Sequence, residues 1–146
     1  MFSCQTPELQ NSDRSLRTEW LECNGTGDYA SGTITGCNSR RYHGLLVANL
    51  DHIGRHVLLS GMEDWLVTEN GRIPLSSRKH PNAIYPDPSG SLKTFSASPY
   101  PTFVFEGPGF RLTRSLMLVR DRHTVLIRYS LKKTDSSAPA LKCTLE

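Results

Sequence analysis

The sequence predicts an all-β protein: an antiparallel β-sandwich of short strands, part of a large two-sheet sandwich domain, with little or no helix. Three observations carry this reading. Apolar residues recur with period two, as where Phe110, Leu112, Leu116 and Leu118 share one parity and Arg111, Thr113 and Ser115 the other. Clusters of Gly, Asn, Asp and Pro punctuate these runs at short intervals. No segment holds a helical period over three turns, and neither an internal repeat nor a low-complexity tract is visible. At 146 residues with 37 % hydrophobic composition, the chain sustains one modest core and therefore one domain.

Residues 1 to 17 are polar and aperiodic, with Pro7 and scattered Ser, Asn and Asp, and read as a flexible or loosely attached arm. Order begins near Thr18. Residues 19 to 50 place glycines at 25, 27, 32, 36 and 44, several aromatics and a double arginine between two apolar runs. The second of those runs, 45 to 50, reads as a buried strand. Residues 65 to 68 and 73 to 75 form a hairpin around Glu69-Asn70-Gly71-Arg72, because Asn-Gly tolerates the positive φ angles of a type I′ turn. Pro81, Pro86, Pro88, Pro99 and Pro101, with Pro74 just upstream, remove ladder donors and predict a long irregular connection over 79 to 101, with a short strand at 92 to 95. Residues 110 to 118 and 125 to 131 make a second hairpin around Arg120-Asp121-Arg122-His123, with Arg114 an exception to the pattern of the first strand. The final run, 141 to 146, reads as the middle of a strand.

Composition narrows the classes of function. A net charge of +3 is slight, and the cations between 111 and 133 alternate with apolar residues instead of forming a stripe. Solvated strand faces account for them, and nucleic acid is not an expected partner. No apolar stretch approaches the roughly 18 residues of a membrane span, and no secretory signal opens the chain, so the expected setting is cytoplasmic with no membrane contact. Cysteines at 4, 23, 37 and 143 lack zinc-like spacing and are expected to remain thiols, so neither a metal nor another cofactor is expected. Asn24-Gly25-Thr26 matches a glycosylation sequon but reads as a turn. Gly25-Thr26-Gly27 lacks the Gly-Lys-Ser/Thr that would make it a phosphate loop.

The run E-W-L-x-x-N-G-x-G-x-Y-A-S-G-T-x-x-G-x-N-x-R-R-Y-H-G-L-L-V-A, from Glu19 to Ala48, resembles the N-terminal domain of bacterial and archaeal glycogen debranching enzymes. Weaker similarity extends the resemblance over residues 18 to 131. Cys23, Cys37 and Asp28 depart from it, the last standing where another glycine is expected. The resemblance implies a sandwich domain preceding a helical catalytic α/α toroid, in an enzyme that hydrolyses α-1,6-glucosidic branch points of glycogen or limit dextrin. Residues 18 to 146 would then be a partial β-sandwich, with the C-terminal strands and the toroid missing from this chain.

Glycoside hydrolysis requires two carboxyl groups flanking the scissile bond. Glu19, Asp28, Glu63, Asp64 and Glu106 are the candidates, and none stands in a pattern that marks such a pair. The resemblance puts the catalytic acids on the absent toroid, so no catalytic residue is assigned here. The candidate binding or docking surface is Arg40, Arg41, Tyr42, His43 and Gly44, joined by Tyr29 and Asn24. Arginine's planar fork clamps a carboxylate or vicinal sugar hydroxyls, tyrosine offers a ring face and a hydroxyl, and glycine admits a close neighbour. Two readings stay open: the arginines pair with Glu19, Glu63 or Asp64 and lock a loop that docks the catalytic domain, or the cluster touches α-glucan directly. Trp20 and Trp65 lie in apolar strands and read as core more than as sugar platforms. The alternatives are a stand-alone glucan-binding module, or a truncated fragment without independent activity.

Overall fold

The computed structural model describes residues 3–5, 9, 12–134 and 143–145. Their elements run β1 Ser3–Gln5, α1 Ser12–Arg17, β2 Glu19–Cys23, β3 Tyr29–Thr33, β4 Gly44–Leu50, β5 Gly54–Leu59 and β6 Trp65–Thr68. They continue with β7 Gly71–Pro74, β8 Arg78–His80, β9 Ala83–Tyr85, β10 Leu92–Ser96, β11 Thr102–Gly107, β12 Phe110–Leu118, β13 Val125–Lys133 and β14 Cys143–Leu145. One sheet has the order β1-β10-β11-β12-β13 and another β2-β3-β4-β5, with smaller sheets β14-β6-β7 and β8-β9. Every pairing is antiparallel.

The period-two pattern becomes the core directly. Along β12 the even positions from Phe110 to Leu118 are buried while the odd ones face outward. Phe95, Phe103, Phe105, Phe110, Leu112 and Leu116 from the five-stranded sheet share a cluster with Trp20, Ala30 and Leu46 from the four-stranded one. Trp20 meets Phe103 edge-on at 6.1 Å between ring centroids and donates its indole N–H to the Thr33 carbonyl at 3.0 Å. Each fully buried phenylalanine contributes about 2–3 kcal/mol by leaving water. Trp20 is thus core, as the sequence indicated, and not a sugar platform.

Three expectations are corrected. The described part of residues 1 to 17 is no loose arm: β1 pairs with β10, Cys4 and Leu9 are buried, and residues 12–17 form a helical turn and a half. The proline-rich span is less irregular than expected, because β8 and β9 pair between Ser77 and Pro86. The strand expected at 92 to 95 is there as β10. In the β6–β7 hairpin Thr68 pairs with Gly71, so the loop is Glu69-Asn70, one residue before the expected Asn-Gly turn. Thr68 explains the shift. Its hydroxyl accepts the Asn70 N–H at 3.2 Å and donates to the Gly71 carbonyl at 3.0 Å, closing the turn with a side chain. The strand expected at the C-terminal end is seen only over Cys143–Leu145, paired with β6; residues 141, 142 and 146 lie outside the described residues.

Candidate functional site

The loop from residue 34 to residue 43 leaves β3, turns, and re-enters the sheet as β4. Its return is fixed at Gly44, where an added Cβ would stand 3.1 Å from both the Leu59 carbonyl and Val57 Cγ1. Only glycine lets β5 approach this closely. The loop's polar groups then find partners one by one. Arg40 Nε donates to Glu19 Oε1 at 2.5 Å, which ties the loop to β2. The Tyr42 carbonyl accepts from Tyr29 Oη at 3.2 Å and Ser31 Oγ at 3.4 Å, which staples it to β3.

His43 is buried beneath this loop. Its Nδ1 accepts the Ser39 N–H at 3.2 Å, leaving Nε2 as the proton-bearing nitrogen, 3.8 Å from Glu19 Oε1. Burial pushes the imidazole pKa below its ordinary value, with Glu19 opposing and Arg40 reinforcing the shift. His43 is therefore neutral in the fold and binds a proton more readily once unfolded. Stability should be full above the ordinary histidine value of about 6.5 and fall as pH drops toward the lowered folded one. Urea titrations between neutral and mildly acidic pH should show this decline and its flattening in His43→Gln; identical slopes in both proteins would refute it.

Above the staples lies an open groove. Arg40, Arg41, Tyr42, His43 and Tyr29 line it together with Leu21 on β2. Leu21 and Tyr42 are 63 % and 50 % exposed, which leaves an apolar edge and a tyrosine ring face available to a partner. The Arg41 guanidinium lies 5.4 Å from the Tyr42 ring centroid, and Arg55 lies 5.9 Å from that of Tyr29. Such a surface combines rigid aromatic area with cationic donors. It holds no nucleophile poised against a base.

Five of the seven candidate residues thus line the groove, and Gly44 follows them as the first residue of β4. Asn24 stands apart. Its carboxamide accepts the Thr26 and Asp28 N–H groups at 2.9 and 3.2 Å and donates to Asp28 Oδ2 at 3.0 Å, closing the β2–β3 turn instead. Leu21 was missed because a leucine in a strand reads as core; its outward parity opposite Trp20 was the available signal. The expectation that the arginines pair with Glu19, Glu63 or Asp64 holds for Arg40 and Glu19 alone. Glu63 meets Arg78 at 3.3 Å, and Asp64 belongs to a separate buried centre.

That centre lies between the sheets. Arg114 Nη1 donates to both Asp64 oxygens, at 3.1 and 2.8 Å, and Tyr129 Oη donates to Asp64 Oδ2 at 2.7 Å. The guanidinium carbon stands 4.5 Å from the Phe103 ring centroid and 5.6 Å from that of Phe105. Burial alone would raise the Asp64 pKa, but Arg114 and Tyr129 outweigh it and hold the carboxyl below the usual carboxylate range. Burial and the neighbouring Asp64 push the Tyr129 phenol well above its ordinary value. Among the described residues no group of three or more His, Cys, Asp or Glu side chains is arranged to hold a metal ion, and no helix is long and apolar enough to cross a membrane.

Fold and site together define an antiparallel β-sandwich domain that presents an arginine–tyrosine loop on one sheet and seals a carboxylate–arginine–tyrosine centre between the sheets. A family model described as glycogen debranching enzyme N terminal matches residues 18–145. The chain belongs to that family. Searches of curated proteins and of solved structures each found no match.

Proposed function

We propose that this chain is the non-catalytic sandwich domain of an enzyme hydrolysing α-1,6-glucosidic branch points, with the chemistry supplied outside it. The observation that carries this is the commitment of its candidate carboxylates. Glu19, Glu63 and Glu106 pair with Arg40, Arg78 and Arg111, while Asp28 and Asp64 are buried and accept hydrogen bonds from several donors. A glycosidase needs one carboxyl protonated and one free beside an open cleft, whereas these five are held by ion pairs or buried hydrogen bonds. In this reading the groove of Arg41, Tyr42 and Leu21 is the face shown to the catalytic domain or to α-glucan. A cytoplasmic setting accords with Cys23 and Cys37 as free thiols.

The stapled loop favours docking, since Arg40 is already spent on Glu19. The exposed Tyr42 ring beside Arg41 favours direct glucan contact, as in a stand-alone glucan-binding module. Affinity electrophoresis in glycogen separates them. The purified chain should release no glucose from a limit dextrin. If the groove binds glucan, migration is retarded and Arg41→Ala or Tyr42→Ala weakens binding by about fivefold to tenfold, roughly 1 kcal/mol of lost stacking and donor contact. Unretarded migration leaves docking as the role of the groove, and measurable glucose release would overturn the non-catalytic reading itself.

A further inference from the structure

We propose that the cavity beside Arg114, between the two large sheets, is an internal hydration site, in which a water accepts a hydrogen bond from Arg114 Nε and donates to oxygens of the same centre. Among the described residues Arg114 Nε is the one buried side-chain nitrogen or oxygen without a hydrogen-bond partner. Arg114 spends Nη1 on both Asp64 oxygens, and the whole residue is 7 % exposed. A guanidinium holds its N–H groups in one plane and in fixed directions, so Nε cannot turn toward a partner without breaking the contact with Asp64. A buried donor on a charged group is costly to leave unmade. Its partner therefore has to come to it.

The cavity that Arg114 lines has room for one. Trp20 and Gly32 wall it from the four-stranded sheet, and Phe103, Leu116 and Ile127 from the five-stranded one. The space open to water centres in it is about 30 Å³, against about 10–15 Å³ for one internal water. One or two waters fit, and a sugar ring does not. An anion is disfavoured as well, because Asp64 already balances the guanidinium and a second negative charge would be buried unpaired.

An internal water is held when two to four polar groups surround it. Besides Arg114, the wall carries Asp64, Ser76 and Tyr129. Tyr129 Oη donates its proton to Asp64 at 2.7 Å, and Ser76 Oγ donates to the Met62 carbonyl at 3.0 Å. Both oxygens keep lone pairs for a water. Gly36, Asn38, Gly61 and Met62 border both this cavity and the outer hollow beside Arg78 and Lys79, which gives water a way in from solvent. The water completes the carboxylate–arginine–tyrosine centre, and any sugar contact is left to the open groove.

The test uses the full chain. A high-resolution crystal structure should show a water about 2.7–3.2 Å from Arg114 Nε. In solution, the Nε proton of chain carrying isotopically labelled arginine should cross-relax with water. Apolar cavities stay dry and take up xenon, so xenon pressure should leave the Ile127 methyl and Phe103 ring signals unshifted. Crystals soaked in maltose should show no sugar in the cavity. An Nε with no water in the crystal would overturn the proposal. Xenon seated against Phe103 would reveal a dry apolar void in its place, and a sugar ring bound there would reveal a glucan subsite; either result sinks the hydration site.

Discussion

Asp64→Ala is expected to lower the unfolding free energy by about 3–5 kcal/mol, the usual cost of removing one partner from a buried ion pair. Truncation leaves the buried Arg114 guanidinium against two phenylalanine rings with no carboxylate, and the Tyr129 hydroxyl without its acceptor. A domain of this size has about 5–15 kcal/mol in total, so the variant should be near the edge of folding. Urea denaturation measures the loss, and a cost under about 1 kcal/mol would show that the centre is not a structural tie. Asp64→Leu/Arg114→Met should recover much of it, because replacing a whole buried pair with apolar groups is often neutral. The pH dependence has a definite sign. Since the folded carboxyl titrates below the ordinary value of about 3.9, its stabilisation is present above that value and is lost as pH falls through the lowered one. The acid limb of the stability curve should be shallower in Asp64→Ala.

The sequence already carried a sign of this centre in Arg114, the charged residue on the inward parity of β12. A charged side chain on the inward parity of a strand must be paired or excluded from the core, so its position required a buried carboxylate. Which carboxylate was not legible. Asp64 is fifty residues away on an irregular segment between β5 and β6, and only folding brings it beneath the guanidinium. The same limit applies across the fold. Period two marked β12 and β13 and turn residues marked the β6–β7 hairpin because each is local, and glycine spacing marked the loop that forms the groove. Docking of β1 on β10 rests on contacts about ninety residues apart, made by a segment whose composition is polar. No window of sequence encodes that. Prolines hid β8 and β9 for a different reason: such short strands need few ladder donors, so Pro81 and Pro86 can flank them without interrupting the pairing.

The candidate groove was legible in its residue types and not in its division of labour. Arg40 and Arg41 are indistinguishable as neighbours in sequence, yet one is consumed by Glu19 and the other lies along the exposed Tyr42 ring. That difference follows from where each Cα leaves the loop, which spacing does not specify. It also assigns them different tests. Arg40 variants should loosen the loop, whereas Arg41 variants should alter only what the loop presents.

Asp28→Ala should cost about 2–3 kcal/mol, although Asp28 stands at a turn where the family resemblance led to an expectation of glycine. The residue is 1 % exposed and its carboxylate takes three hydrogen bonds. Oδ1 accepts the Asn49 N–H at 2.8 Å, while Oδ2 accepts from Asn24 Nδ2 at 3.0 Å and from His123 Nδ1 at 2.8 Å. One side chain thereby joins the β2–β3 turn to β4 and to the β12–β13 turn of the other sheet. Each buried donor left without an acceptor costs about 1–3 kcal/mol, and His123, half exposed, can turn to water. The buried Asn24 carboxamide and the part-buried Asn49 N–H therefore set the size of the loss. Asp28→Asn is the sharper variant, because it preserves shape while replacing one acceptor with a donor. In either amide orientation that donor meets an N–H group, so the isosteric change should approach the cost of alanine, whereas His123→Ala should cost under about 1 kcal/mol. Thermal unfolding of the three variants checks the order. If Asp28→Asn proved neutral while His123→Ala did not, the tie would lie in an ion pair with His123 and not in the Asn49 backbone and Asn24 carboxamide donors.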